Sequence, residues 1–242
     1  MPGSVVVTGG SRGIGRAFVV EAARRGHDVL FTHRGRTADV EATLAEASAA
    51  APKVTVTPVE ADVTDAAALA GLAEAARAHG PVDHLVNNAG TLTRADLDST
   101  TDELWQQAFA VHVTAAALLA RELADALAET QGSILNVAST GGLVGSLHGV
   151  AYGASKAATV GLGRTLAREL APRVRVNTIA PGPIATDMWG ALPQDSRDGV
   201  ESTTLLGRVG DPAEIARTGL DLCGWTYATG ITVIADGGRV MS

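Results

Sequence analysis

A short apolar segment followed by a glycine-rich turn constrains this chain more than any other feature of its sequence. Residues 4–8 are Ser-Val-Val-Val-Thr, residues 9–15 are Gly-Gly-Ser-Arg-Gly-Ile-Gly, and residues 16–25 have the composition of a helix. The pattern predicts a buried strand, a tight turn and a helix. Glycines in such a turn let the backbone approach a diphosphate, and the helix N-terminus offers unpaired N–H groups. We therefore predict the first unit of a dinucleotide-binding fold. The spacing departs from G-x-G-x-x-G, and taken alone such a loop is also consistent with a plain strand-to-helix turn.

Strand patterns alternate with helical patterns along the whole chain. The predicted strands are Val5–Thr8, Val29–Thr32, Val54–Val59, His84–Asn87, Ser133–Ala138, Arg175–Ile179 and Ile231–Ala235. Helical patterns separate them, including the alanine-rich segments 38–51 and 65–79 and the apolar segments 104–127 and 152–170. Crossover helices between short buried strands predict an α/β Rossmann fold, a doubly wound parallel sheet of about seven strands with helices on both faces. We expect one domain over residues 1–242, with its own substrate lid at about 187–210.

Composition and charge exclude several classes of protein. The net charge is −7 and the isoelectric point is near 5.3, which argues against nucleic acid or an anionic membrane surface as a partner. The single Cys excludes an internal disulfide and zinc-finger spacing, and we expect no metal site. We find neither a signal peptide nor a stretch approaching the roughly eighteen apolar residues of a membrane span. The expected location is the cytoplasm.

Tyr152 and Lys156 are four residues apart in a sequence that has only two Tyr and two Lys. On a helix such residues lie on one face, with Cβ atoms about 5–6 Å apart. A free Tyr titrates at about 10, and an adjacent ammonium lowers that pKa toward the range in which Tyr is a useful acid or base. A chance pair on the surface of an amphipathic helix is the alternative interpretation.

Five motifs in order carry a family resemblance. They are Thr8-Gly-x3-Gly-x-Gly15, Asn87-Asn-Ala-Gly90, Ser139, Tyr152-x3-Lys156 and Pro181-Gly182. Their order and spacing resemble those of the short-chain dehydrogenases/reductases over the whole chain. Within that family the chain is most similar to the 3-oxoacyl-carrier-protein reductases, through residues 181–188, 206–214 and 235–238.

The end of the second predicted strand bears on the choice of cofactor. An NAD-binding protein usually offers a carboxylate there to the ribose 2′-hydroxyl. Residues 32–36 are Thr-His-Arg-Gly-Arg, so no acid is available on this strand, and Arg12 and Arg34 could hold a 2′-phosphate. We therefore expect NADP(H); the alternative is that these arginines, Arg36 included, are solvated surface charges. The resemblance implies the following cofactor-binding residues: Gly9, Ser11, Arg12, Gly13, Ile14, Gly15, His33, Arg34, Asp62, Val63, Asn88, Ala89, Gly90, Tyr152, Lys156, Pro181, Gly182, Ile184 and Thr186.

The resemblance also implies a mechanism, which is reversible hydride transfer between a nicotinamide and a carbonyl or secondary alcohol carbon. Ser139 would hold the substrate oxygen, Tyr152 would give it a proton, and Lys156 would lower the Tyr152 pKa and bind the nicotinamide ribose. His112 falls where the family commonly has an Asn that helps to hold a proton-relay water. A neutral imidazole can accept and donate hydrogen bonds, so His112 could hold the same water or be a buried His bonded to a backbone carbonyl.

Substrate identity is expected to depend on residues 141–150 and on the segment after Met188. Candidate pocket walls are Leu143, Val144, His148, Met188 and Trp189. A carrier-protein substrate would need basic surface, because such carriers are acidic. Residues 128–131 are Ala-Glu-Thr-Gln where the similar enzymes often have Lys or Arg, and only Arg168, Arg173 and Arg175 remain nearby.

Three functions stay open at this point. The first is an NADPH-dependent reductase of a 3-oxoacyl thioester or related β-keto substrate, free or on a carrier protein. The second is a family member that acts on another ketone, such as a sugar, steroid, polyketide or secondary metabolite. The third is a catalytically silent NADP(H)-binding regulator, which the intact Ser139, Tyr152 and Lys156 disfavour. The resemblance suggests a homotetramer or a dimer.

Overall fold

The structure is a computed structural model and describes residues 2–35, 37–186 and 199–240. In chain order the elements are β1 Ser4–Val7, α1 Gly13–Arg24, β2 Asp28–His33, α2 Thr37–Ala50, β3 Val56–Glu60, α3 Ala66–His79, β4 Val82–Asn87, α4 Asp102–Phe109, a π-helical turn Ala110–Thr114, α5 Ala115–Glu129, β5 Ser133–Val137, α6 Gly141–Val144, α7 Val150–Leu170, β6 Arg175–Pro181, α8 Pro212–Gly224 and β7 Thr232–Ala235. All seven predicted strands are confirmed, and each end lies within two residues of its prediction.

The strands form one parallel sheet in the order β3-β2-β1-β4-β5-β6-β7. Val5 of β1 is paired with Val29 of β2 on one side and with His84 of β4 on the other. The chain winds outward from β1 to β3 and then crosses back to β4, so the direction of winding reverses between β1 and β4. The loops that leave these two strands diverge, and this opens a crevice at the carboxyl edge of the sheet. The predicted doubly wound α/β fold is confirmed.

Each face of the sheet is covered by its own set of helices. Phe18 and Val19 of α1 and Ile215 of α8 pack with Val5 and Phe31 on one face. The other face is covered by α3, α5 and α7, whose buried residues include Leu69, Leu72, Leu119, Leu123 and Ala167. Because both faces of the sheet are covered, the central strand β1 is a continuous apolar run at residues 5–7 rather than an alternating one.

Local sequence signals place the helix ends. Asp211 caps α8: its side chain accepts a hydrogen bond from the Ala213 N–H at 2.7 Å. The Glu214 carboxylate in turn accepts a hydrogen bond from the Asp211 N–H at 2.8 Å. This is the predicted capping box, with Pro212 in the first turn. The predicted helix 104–127 differs from expectation because the π-helical turn at 110–114 interrupts it. Such turns are rare in proteins overall, and those that occur often lie near functional sites.

Several predictions fall on parts of the chain outside the described residues. These are Arg36, Met188, Trp189 and the 187–198 part of the expected lid. The single-domain organisation and the lid therefore stay predictions. Within the part of the chain that the structure describes, no helix combines the length and apolar character needed to cross a membrane.

Candidate active site

The glycine-rich turn after β1 is held against the end of β4. The Gly9 N–H donates to Thr32 Oγ1 at 2.8 Å, and the Asn88 side-chain amide donates to the carbonyl oxygens of Thr8 at 2.9 Å and Gly9 at 3.1 Å. Gly9 and Gly13 have φ values of +67° and +54°, a region that glycine adopts readily and other residues do not. The turn is therefore rigid, and its path depends on glycine at both positions.

The N-terminus of α1 fits the diphosphate of a dinucleotide. The N-cap residue, Arg12, makes no side-chain capping hydrogen bond, so the first-turn N–H groups of α1 are available to an anion. A Cβ on Gly15 would overlap the carbonyl oxygen of Gly9 and would lie 2.5 Å from Asn88 Nδ2. Only glycine allows the helix to start this close to β1, as the sequence predicts.

The end of the crevice beside Arg34 contains acids that the sequence of β2 does not show. Arg34 Nη1 lies 3.7 Å from Asp62 Oδ2, and Glu60 Oε1 lies 3.4 Å from the position of a Cβ on Gly35. The parallel pairing of His33 with Glu60 brings the end of β3 to the same edge as the end of β2. Hydrogen bonds from Thr64 hold the pKa of the Asp62 carboxyl below its ordinary value, assisted by Arg34.

Ser139, Tyr152 and Lys156 meet at the carboxyl end of β5. Ser139 follows β5 and accepts a hydrogen bond from the Gly141 N–H at 3.1 Å, and its side chain is near enough to the Tyr152 hydroxyl to lower the pKa of that group. Tyr152 and Lys156 lie one turn apart on α7, with Lys156 Nζ 5.9 Å from the centroid of the Tyr152 ring. Lys156 is 5% exposed and donates to the Val137 carbonyl oxygen at 2.9 Å. The structure thus brings together the three residues that the resemblance selects.

Burial governs the electrostatics of this group. It lowers the pKa of Lys156 to about 8. It also raises the pKa of Tyr152, and the nearby Ser139 side chain only partly opposes that effect. Because Lys156 Nζ lies over the ring and bonds to a backbone carbonyl, burial outweighs the expected lowering of the Tyr152 pKa by Lys156.

His112 lies in the π-helical turn and uses both of its ring nitrogens. Nε2 accepts a hydrogen bond from the Thr91 N–H at 3.0 Å, so the proton is on Nδ1, which donates to Ser155 Oγ at 2.8 Å. Ser155 Oγ in turn donates to the Tyr152 carbonyl oxygen at 2.9 Å. The imidazole therefore connects the loop after β4 to the second turn of α7. Burial and the charge of Lys156 lower the pKa of His112 to about 3.

Two histidines with lowered pKa values, His112 and His84, make the fold sensitive to acid. Burial lowers the pKa of His84 to about 4, and His84 Nδ1 lies 3.0 Å from Ser133 Oγ. Because these pKa values are depressed below those of the unfolded chain, the unfolded state binds more protons as the pH falls from about 6.5 to about 4. We expect the melting temperature to fall across this window, and each histidine to contribute up to about 1.4 kcal/mol per pH unit to the slope. Unfolding curves at pH 7.5, 6.5 and 5.5 measure this.

His112→Asn is the informative variant for the acid sensitivity. Asn does not titrate, so the variant should lose less stability than the parent between pH 6.5 and pH 5.5. Equal slopes for the two proteins would contradict the depressed pKa of His112. His84→Asn gives the corresponding comparison within β4.

The remaining predicted cofactor residues lie along the same edge of the sheet. Gly182 donates from its N–H to the Ala235 carbonyl oxygen at 3.0 Å, and Ile184 pairs with Gly210. Thr186 Cγ2 lies 3.3 Å from the position of a Cβ on Gly13, so the segment after β6 covers the glycine-rich turn. Other predicted residues occupy the turn and the start of α1, follow β3 and β4, or end β6 at this edge: Ser11, Ile14, Val63, Ala89, Gly90 and Pro181.

Sequence reasoning missed two residues that position this site. Thr91 and Ser155 hold His112, and neither was selected as a candidate. A signal existed for both, because Thr91 directly follows Asn-Asn-Ala-Gly90 and Ser155 directly precedes Lys156. Their roles depend on a contact between the loop after β4 and α7, which the spacing of motifs does not reveal.

The fold and the site define a class of protein, a dinucleotide-dependent oxidoreductase built on one parallel sheet, and the comparisons with known proteins agree. The model of the Enoyl-(Acyl carrier protein) reductase family matches residues 9–239. The 3-oxoacyl-[acyl-carrier-protein] reductase MabA of Mycobacterium tuberculosis is 36% identical over 98% of this chain and 93% of its own length. The 3-oxoacyl-[acyl-carrier-protein] reductase FabG of Staphylococcus aureus is 32% identical over 100% of this chain and 99% of its own.

Solved structures show the same architecture. A short-chain dehydrogenase/reductase from Burkholderia xenovorans superposes with a TM-score of 0.90 at 27% identity, over 99% of this chain and 98% of that one. A mutant of the Serratia marcescens short-chain dehydrogenase/reductase gives a TM-score of 0.90 at 32% identity, over 98% and 97% of the two chains. The chain belongs to the short-chain dehydrogenase/reductase family and is an oxidoreductase that uses a nicotinamide cofactor.

Proposed function

We propose that this protein reduces a ketone to a secondary alcohol with NADPH, and that the ketone is a 3-oxoacyl thioester or a related β-keto compound. The observation that carries the proposal is the meeting of Ser139, Tyr152 and Lys156 at the carboxyl end of β5, beside the crevice at the β1/β4 switch. Full-length relatives named 3-oxoacyl-[acyl-carrier-protein] reductases support the substrate class.

The side chains have separate roles in this mechanism. Ser139 holds the substrate carbonyl oxygen, and Tyr152 donates the proton that this oxygen needs as the alcohol forms. Lys156 binds the ribose of the cofactor and keeps positive charge beneath Tyr152, which favours the phenolate left after proton donation. The nicotinamide supplies the hydride when it is bound. In cofactor binding, Gly9–Gly15 hold the diphosphate, and Pro181, Gly182, Ile184 and Thr186 bracket the nicotinamide.

His112 is part of the proposal as a residue of the proton path. Its ring nitrogens bond to Thr91 and Ser155, so its contribution to the path comes from holding α7 at Ser155, next to Lys156. A small cavity beside His112 is lined by Lys156 and Asn87, and Asn87 Oδ1 is buried with no hydrogen-bond partner in the described part of the chain. A polar cavity of this kind suits the relay water. In His112→Ala, a kcat that falls while the KM for ketone stays constant, and that recovers in His112→Asn, would support this role.

NADPH preference rests on Arg12 and Arg34 at the adenosine end. Both side chains are exposed, and the 3.7 Å separation of Arg34 from Asp62 leaves its guanidinium able to reach a 2′-phosphate. We expect the Arg12→Gln, Arg34→Gln double variant to raise the KM for NADPH about 10-fold or more, since each lost charge-assisted bond weakens binding. The KM for NADH should change little.

Initial rates at varied cofactor concentration measure this preference, with the Arg164→Gln, Arg168→Gln double variant on the exposed side of α7 as the matched loss of two positive charges. If the wild type uses NADH as efficiently as NADPH, the negative charges of Glu60 and Asp62 offset the positive charges of the arginines, and the proposed NADPH preference is wrong.

The experiment that tests the function follows NADPH oxidation at 340 nm over a set of substrates. The set contains 3-oxoacyl thioesters, enoyl thioesters and unrelated ketones. Enoyl thioesters are included because the description of the matching family model names an enoyl reductase. We expect turnover of 3-oxoacyl thioesters. Reduction of unrelated ketones alone would replace the substrate class, and tight NADPH binding without any turnover would favour the silent regulator.

A second candidate function keeps the chemistry and changes the substrate. Residues 128–131, just before β5, carry Glu129 and no Lys or Arg, which is unfavourable to an acidic carrier protein. A free thioester or another small ketone is therefore the alternative to a carrier-bound substrate. Comparing one 3-oxoacyl group on a carrier protein and on N-acetylcysteamine separates the two.

We also propose a homotetramer, or else a dimer, in the cytoplasm. Trp225, Tyr227 and Ile231 are exposed beside the edge strand β7, and covering them by another copy would remove apolar surface from water. The single Cys, Cys223, is buried and free, as suits a reducing compartment. A monomeric mass by light scattering would contradict the assembly, and fractionation of cells tests the location.

A further inference from the structure

The side chain of His148 lies beside Tyr152, and the positive charges of two arginines from other parts of the chain act on it. The His148 ring packs edge-on against the Tyr152 ring with centroids 5.7 Å apart. Residue 95 pairs with residue 149, which places Arg94 next to the turn that carries His148. The third side chain, Arg239, follows β7. The pKa of His148 is lowered mainly by burial, and the positive charges of Arg94 and Arg239 lower it further.

The position of Arg239 is fixed by the turn around it. Asp236 accepts hydrogen bonds from the N–H groups of Gly238 at 2.9 Å and Val240 at 2.7 Å, the residues on either side of Arg239. Each of the two carboxylate oxygens of Asp236 therefore already has a hydrogen bond. The Arg239 side chain is half-buried. These bonds order the backbone from which the Arg239 side chain extends, so binding a ligand there does not require the loop itself to become ordered.

None of the three basic groups has an acidic partner in the described ranges 2–35, 37–186 and 199–240. Arg94 and Arg239 form neither an ion pair nor a side-chain hydrogen bond there, and His148 Nδ1 is buried without a partner. Asp96, two residues after Arg94, bonds instead to Ser99. Buried polar atoms are normally paired, and a cleft lined by one sign of charge concentrates ligands of the opposite sign.

We infer that the substrate carries an oxyanion, a carboxylate or a phosphate, within a few bonds of its keto group, and that Arg94, His148 and Arg239 bind it. This inference rests on the proposed function and narrows its substrate class. Because His148 contacts Tyr152, the bound oxyanion is close to the reacting carbonyl. The phosphate of a pantetheine carrier lies at the far end of a long arm, so the anion belongs to the keto compound itself.

The test compares charged and neutral substrates of matched length within each protein. One pair is an N-acetylcysteamine thioester of a 3-oxo dicarboxylic acid and the corresponding methyl ester, and the other is 4-hydroxy-2-butanone with and without a phosphate on its hydroxyl. We expect the charged member of at least one pair to have a kcat/KM about 30-fold higher in the wild type. The pair that shows the preference identifies the anion.

Variants assign the preference to the basic group. In the Arg94→Gln, Arg239→Gln double variant the charged-to-neutral ratio should fall to about 3 or less, whereas Arg164→Gln should keep the wild-type ratio. General damage to the fold lowers both rates and leaves the ratio unchanged. Neutral substrates reduced as fast as charged ones by the wild type would overturn the inference and leave the proposed function intact.

A binding measurement separates this inference from the proposed function. With saturating NADPH present, 4-oxopentanoate should raise the melting temperature of the wild type more than its methyl ester does, and the double variant should lose the difference. If no ketone is turned over but this difference is present, the function is wrong and the anion site stands. If the carboxylate gives no shift beyond that of the ester, and no charged substrate is preferred, the site is wrong.

Discussion

Tyr152→Phe should lower kcat for ketone reduction by about 100-fold to 10,000-fold, the range that one positioned proton donor contributes. The substitution removes the hydroxyl near the Ser139 side chain and keeps the ring that packs against His112 and His148. The fold should therefore survive, and the affinity for NADPH should fall far less than kcat. Single-turnover rates and NADPH fluorescence titration measure the two quantities separately.

The chain offers a matched control for this variant. Tyr227 is the other Tyr, and its side chain is fully exposed, so Tyr227→Phe deletes the same atom away from the crevice. We expect wild-type kinetics from it. A Tyr152→Phe enzyme that keeps more than about a tenth of its kcat would show that another group donates the proton. His148, whose ring lies 5.7 Å from that of Tyr152, would then be the first residue to substitute.

The strands and the cofactor turn could be predicted from sequence because their signals are local. A buried parallel strand is a short apolar run bounded by turn residues, and this sufficed to place β1 and β5 within one residue at each end. The capping box at Asp211 and Glu214 is equally local. The π-helical turn was missed, because one extra residue in a helical turn changes neither the composition nor the helix-forming tendency of the segment.

The parts that sequence reasoning missed depend on which strand ends meet. Glu60 reaches the adenosine end because β3 pairs with β2 in parallel, although β2 itself carries no acid there. Arg94, His148 and Arg239 come from loops after β4, β5 and β7, and no spacing along the chain connects them. The roles of Ser139, Tyr152 and Lys156 came from family resemblance, and the structure adds that burial, which lowers the pKa of Lys156 to about 8, is the main influence on the group.

Gly15→Ala should abolish tight NADPH binding and should also destabilise the fold. A Cβ at residue 15 would overlap the Gly9 carbonyl oxygen and approach Asn88 Nδ2 to 2.5 Å, and the Gly9 carbonyl is backbone that no side-chain rotation can move. Forcing an extra carbon into a well-packed site costs about 1–3 kcal/mol, and more where backbone must shift. Calorimetric titration with NADPH and urea unfolding measure the two effects.

The matched control separates the close approach from the general effect of an added methyl group. Gly71 lies on the exposed side of α3, and no atom of the described residues lies within 4 Å of the position that a Cβ would take there, so Gly71→Ala should be neutral or stabilising by up to about 1 kcal/mol. If Gly15→Ala binds NADPH as tightly as Gly71→Ala does, the cofactor does not depend on the contact between Gly9 and the start of α1. The diphosphate would then be held somewhere other than the N-terminus of α1. Because Arg12 and Arg34 lie near that helix end, the NADPH preference assigned to them would lose its structural basis.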